Sequence, residues 1–159
     1  MEEDQVERAD GKKGIFGTVT MKAGVSILPV DAEGNVYLVR EYRYALGRYG
    51  LEVVSGGVDE SEEPLAAAKR ELLEELGITA DDWTPLGVVH PFTNIVDAPV
   101  YLFLARGLSF QKSSLEEGEE IVLQKMPFLQ ALAKVKEEII THAPSCVLLL
   151  KAKEVLDGR

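Results

Sequence analysis

Between Pro64 and Gly77 the sequence reads PLAAAKRELLEEL, one amphipathic helix set among stretches that favour strands. Pro64 is suited to a first helical position, and Gly77 supplies the left-handed residue on which helices commonly end. At 100° per residue, Glu71, Glu74 and Glu75 fall within an arc of about 100°. Leu65, Ala68, Leu72, Leu73 and Leu76 fall on the other side, predicting an apolar face opposite a carboxylate face. Like charges four apart repel, and negative charge in the last turn meets the negative end of the helix dipole. A cation relieves both effects.

Just upstream, Ser55, Gly56 and Gly57 form a turn, so the unit is loop, helix, loop. Hard oxygen ligands clustered in this way suit Mg²⁺ or Mn²⁺. Mg²⁺ typically takes one or two carboxylates and completes its shell with waters and substrate phosphate oxygens. Phosphate chemistry is therefore the leading expectation.

Gly56, Glu62, Arg70, Glu71, Leu72, Glu74, Glu75, Gly77 and Ile78 match the pattern G-x5-E-x7-R-E-U-x-E-E-x-G-U, in which U is aliphatic. All nine specified positions agree, and the chain thus resembles the Nudix hydrolase family. That resemblance implies a metal-dependent hydrolase cleaving a nucleoside diphosphate linked to a further group. It also implies an α/β (α+β) fold in which a mixed β-sheet is sandwiched between α-helices.

The strand pattern agrees with such a fold. Extended segments rich in β-branched residues are predicted at Ile15–Met21, Gly24–Val30, Val36–Glu41 and Leu51–Val54. Beyond the helix come Thr84–His90, Pro99–Ala105 and Ile121–Lys125. Two more helices are expected, from Pro127 to about Ile140 and from Ser145 to Leu156. Ser113–Glu120 is acidic and poor in apolar residues, which predicts a loop.

A chain of 159 residues with 46% apolar residues suits a single domain over 1–159, with residues 1–14 a flexible or hairpin-forming segment. The net charge of −10, without any basic run, argues against nucleic acid or an anionic membrane as partner. Met1–Lys13 lacks an apolar stretch of signal-peptide length, and the single Cys146 forms no internal disulfide, so a cytoplasmic location is expected.

Outside the helix, Leu38-Val39-Arg40-Glu41-Tyr42-Arg43-Tyr44 and Leu51-Glu52 resemble the ADP-ribose and nucleoside-diphosphate-sugar pyrophosphatase branch. So do Leu102–Leu108 and Val147–Leu150. One departure leaves the sugar open: that branch carries proline sixteen residues after the glycine matched by Gly77, and here Thr93 stands there, with Pro91 two residues earlier. GDP-mannose, a UDP-sugar or a dinucleoside polyphosphate are alternatives, as is a Nudix module that senses a nucleotide without cutting it.

The resemblance implies roles residue by residue. The Ser55 carbonyl with Glu71, Glu74 and Glu75 would hold the metal, Glu74 and Glu75 also counting among the catalytic groups. Gly56, Glu62, Arg70 and Gly77 would support them, Arg70 orienting the carboxylates and Glu62 tying the loop to the helix. Arg43 is the expected phosphate clamp and Arg40 the second candidate; on a straight strand the two point oppositely. Glu52 either aims into the cleft or partners an arginine. A glutamate on a closing loop would position the attacking water, with Glu119 first among Glu116, Glu117, Glu119 and Glu120. His90 and His142 are read as structural or surface residues, and Trp83, Phe92 and Tyr42 as core or rim. The dimers of this branch make a homodimer an expectation.

Overall fold

In the computed structural model, which describes residues 1–112 and 121–158, the described residues form ten strands, three α-helices and a short 3-10 helix at Tyr44–Leu46. β1 (Glu2–Glu7) and β2 (Lys13–Thr20) form an antiparallel hairpin, followed by β3 (Gly24–Pro29), β4 (Asn35–Arg43), β5 (Arg48–Glu52) and β6 (Val54–Gly57). Next come α1 (Pro64–Leu76), β7 (Ile78–Val89), β8 (Val96–Asp97), β9 (Val100–Phe110), β10 (Val122–Pro127), α2 (Phe128–Lys136) and α3 (Ala143–Leu156).

The central sheet has the order β6-β3-β9-β7 and is mixed: β3 runs parallel to β9, while β6 and β7 lie antiparallel on the two edges. Alternation along β3 sends Val25 and Ile27 to one core cluster and Leu28 to the other. The first cluster is closed by Ala67, Ala68, Leu72 and Leu76 of α1, the second by Leu148, Leu149 and Ala152 of α3. Helices thus cover both faces of the sheet. Each fully buried Leu or Ile contributes roughly 1.5–3 kcal/mol by leaving water.

A second sheet, β10-β4-β5, wedges against the first. Along β4, Val36 and Leu38 enter the α3-side cluster, and Tyr37 and Val39 the α1-side cluster. Burial on both sides makes β4 a continuous apolar run, and the run ends where Arg40 begins the polar segment that reaches the site.

Several elements differ from the expected ones. β7 begins at Ile78 rather than Thr84, and β9 continues to Phe110 rather than ending at Ala105. The two extensions are each other's partners, with Asp82 opposite Arg106 and joined to it at 2.7 Å. The expected Leu51–Val54 strand is two strands, β5 and β6, interrupted at Val53. The short β8, pairing in parallel with β2, lies outside any expected strand. The expected loop Ser113–Glu120 lies outside the described residues.

Candidate active site

The glycine turn is held by strand pairing before any side chain acts. β6 lies antiparallel to β3 with Ser55 opposite Ser26 and Gly56 opposite Val25. The Ser26 and Ser55 hydroxyls are 2.9 Å apart, and Ser55 also donates to the Val53 carbonyl at 3.2 Å. The chain then turns through Asp59–Glu62, with Ser61 in the left-handed region at φ 65°, and enters α1 at Pro64. Gly77, at φ 63° and ψ 29°, stops the helix, its N–H reaching the Leu72 and Leu73 carbonyls.

The helix is turned differently from its apolar wheel. Leu65 is 38% exposed, whereas Ala67, which falls inside the carboxylate arc, is fully buried. The glutamates therefore flank the packed face rather than oppose it, and the Glu71 head reaches β6. Small Ala67 and Ala68 let the helix approach the sheet closely enough for this contact. Glu71 lies directly against Gly56: a Cβ at that glycine would come within 2.0 Å of the Glu71 carboxyl carbon.

Arg70 ties turn and helix together. Its Nε and Nη2 donate to the two oxygens of Glu62 at 3.1 and 2.9 Å, and Nη2 also reaches the Gly57 carbonyl at 2.9 Å. Nη1 donates to Glu71 at 2.7 Å and Glu74 at 3.1 Å. Fork geometry lets one guanidinium hold the turn with one edge and the carboxylates with its tip. The Arg70 bonds, together with the Asp59 N–H, hold the Glu62 carboxyl below its ordinary range.

Glu41 and Arg43 form the opposite wall of this cleft, a cavity of about 220 Å³ that also includes Ser55, Gly56, Glu71, Glu74, Glu75 and Ile121. Arg43 is gripped on both sides. Its Nη1 meets Glu41 at 2.8 Å, while Nε and Nη2 reach the buried Glu52 carboxylate, Nη2 at 2.7 Å. Burial acts to lower the Arg43 pKa, but the Glu52 bonds and the surrounding carboxylates outweigh it and hold the charge firmly. Glu52 is thus placed as a partner of Arg43.

Arg40 is not among the cleft residues; its guanidinium stacks 3.9 Å over the ring of Tyr49. Trp83 bonds the Ala80 carbonyl and packs edge-on against Phe103, and Phe92 and Tyr42 are exposed and are not among the cleft residues. His90 lies on the β2–β8 side. Glu116, Glu117, Glu119 and Glu120 lie outside the described residues.

The reading of His142 as a surface residue is corrected, because its ring sits against the Arg43–Glu52 pair, with Nδ1 3.6 Å from Glu52. Two residues that sequence reasoning missed belong to this region. Ser145, fully buried at the start of α3, accepts the Val53 N–H at 3.0 Å. Gly50 makes room for the Glu52 carboxylate, whose oxygen would lie 2.5 Å from an added Cβ.

Among the described residues no group of three or more His, Cys, Asp or Glu side chains is drawn tightly enough to hold a metal ion by itself. What the cleft offers is a set of hard oxygen donors facing a fixed guanidinium, suited to a cation and an anion bound side by side. A sequence profile described as the NUDIX domain matches residues 20–144. The chain is 30% identical over 160 residues to an ADP-ribose pyrophosphatase of Bacillus subtilis, covering 98% of this chain and 86% of that protein. It is 33% identical over 158 residues to an ADP-ribose pyrophosphatase of Mycobacterium tuberculosis, covering 98% and 76%. A crystal structure described as an ADP compounds hydrolase matches the fold with a TM-score of 0.88 at 24% identity, over 98% of this chain and 85% of that one.

Proposed function

The chain belongs to the NUDIX family, and on that premise we propose that it hydrolyses the pyrophosphate bond of a nucleoside diphosphate sugar, ADP-ribose first, releasing a nucleoside monophosphate and a sugar phosphate. It is a hydrolase of phosphoanhydride bonds; the sugar nucleotide and the Mg²⁺ requirement are the proposal. The observation that carries it is the position of Arg43. It stands on the wall shared by the carboxylate cleft and a second cavity of about 420 Å³, the geometry needed to hold a pyrophosphate with a group on either side.

In this reading the Ser55 carbonyl, Glu71, Glu74 and Glu75 would hold Mg²⁺, with Mn²⁺ as substitute. The cradle at Gly56 fits that role, since it seats the Glu71 carboxylate directly against the turn that follows Ser55. The bound metal supplies charge neutralisation at the phosphate and lowers the pKa of water. Arg43, oriented by Glu41 and Glu52, grips the phosphates and keeps them in register with the carboxylates. Arg70 and Glu62 hold the carboxylates and the turn in one frame. Glu119 positions the attacking water; Ile121 at the cleft supports this, because it brings the chain just after that residue to the site.

A single domain, a cytoplasmic location and a homodimer complete the reading. Ile15, Phe16 and Ile95, left exposed on β2 and beside β8, support a subunit contact there. Among the described residues no helix is long and apolar enough to cross a membrane.

The test is hydrolysis of ADP-ribose, GDP-mannose, UDP-glucose and diadenosine polyphosphates with Mg²⁺, with EDTA, and with Glu75→Gln. ADP-ribose should give the highest kcat/KM, and EDTA or the substitution should remove most of it. Undiminished turnover in EDTA overturns the metal assignment, and a different preferred substrate replaces ADP-ribose.

A further inference from the structure

The second cavity, on the other side of Arg43, runs from Gly24–Ser26 of β3 to the start of α3 and is lined by His142 and Pro144. The ring of His142 is held from behind. Its Nδ1 lies 2.8 Å from Ser145 Oγ, and that oxygen already accepts the Val53 N–H. A serine hydroxyl has one proton to give, and a buried one needs an acceptor. Taking Nδ1 as that acceptor places the ring proton on Nε2.

Two charged groups face the ring: Glu52 from β5, 3.6 Å from Nδ1, and Arg43 from β4, paired to the same carboxylate. Burial lowers the His142 pKa, Glu52 opposing it and Arg43 adding to it, so the buried site favours the neutral ring. A neutral imidazole with its acceptor nitrogen satisfied has one thing left to offer, an N–H on the opposite edge. The His142 ring lines the cavity beside Arg43, the phosphate clamp.

We infer that His142 is a specificity-determining residue whose Nε2–H donates to a hydroxyl of the sugar seated in this second cavity, while Arg43 holds the neighbouring phosphate. The inference rests on the functional reading above and deepens it. It separates sugars with a hydroxyl at this reach from substrates without one. The chain Val53 N–H, Ser145 Oγ, His142 ring is what sets the tautomer.

The experiment compares kcat/KM for ADP-ribose with that for an ADP monoalkyl ester, whose second leg has no hydroxyl, in the wild type, His142→Leu and His142→Gln. One hydrogen bond of this kind moves the ratio between the two substrates by about three- to tenfold. His142→Leu should lower the ratio by that factor, and His142→Gln, whose amide N–H reaches the Nε2 position, should restore most of it. Long-range ¹H–¹⁵N spectra of the wild type should show His142 protonated on Nε2. An unchanged ratio, or a ring protonated on Nδ1, overturns the inference. A wild type that cleaves neither compound overturns the functional reading instead, and the ring assignment then stands or falls by the spectrum.

Discussion

A methyl group on Gly56 would lie 2.0 Å from the Glu71 carboxyl carbon, so this position excludes side chains for a reason unrelated to backbone conformation. The contact spans fifteen positions, and no local pattern reveals it. Gly50 does the same for Glu52 on the opposite wall. Both glutamates are thereby folded back against the main chain, where each takes an arginine. Gly56→Ala must push the Glu71 head off its seat, and since a flexible side chain yields more easily than a strand, the fold should survive. A displacement of about 1 Å in a positioned group costs about a hundredfold in rate. The variant should therefore show a wild-type circular dichroism spectrum and thermal midpoint with kcat lowered by about that factor. Near-normal turnover would mean that Glu71 need not sit against Gly56.

Helix α1 was legible in its limits because Pro64 and Gly77 mark them chemically, but its rotation was not. Counting apolar residues puts Leu65 inside and the glutamates opposite, whereas the sheet selects Ala67 for its small size and brings the carboxylates inward. The undervalued ends of β7 and β9 have a similar origin. Their pairing continues through the ionic Asp82–Arg106 contact, where hydrophobic alternation has already stopped. The gap between β5 and β6 is bridged from a distant element, since the Val53 N–H lacks a ladder partner and finds Ser145 of α3. Ser145→Ala removes that acceptor and leaves a buried donor unpaired, a loss of about 1–3 kcal/mol. Urea unfolding should show a lower midpoint with an unchanged slope. A loss below about 0.5 kcal/mol would mean that the break at Val53 is satisfied in another way.

At the scale of the whole molecule, the layered architecture and the Nudix motif could both be read from the chain, because strand composition and nine spaced residues each act locally. The Arg43–Glu52–His142 arrangement could not, since it joins β4, β5 and the start of α3. Acid stability shows the same dependence on distant pairing. With a net charge of −10, falling pH first relieves general repulsion as ordinary carboxylates protonate. Asp31 behaves differently. Burial acts to raise its pKa, but bonds from Lys125, Asn35 and Tyr37 outweigh this and hold it well below its ordinary 3.8. A carboxyl depressed in the folded state adds stability that is fully present above its unfolded pKa and is lost as pH falls through the folded one. Lys125 on β10 supplies part of that depression across the β4–β10 pair, so Lys125→Met raises the folded pKa of Asp31 toward the ordinary value. The variant should melt below the wild type at pH 7, and the gap should begin to narrow below 3.8, once the pH reaches the raised folded pKa of Asp31 in the variant, which then binds the proton before the wild type does. Thermal midpoints of the two proteins between pH 7 and about pH 2 decide it: a gap constant over that range would show that Lys125 stabilises by packing on Tyr37, whose ring it overlies at 5.1 Å, rather than through the charge of Asp31.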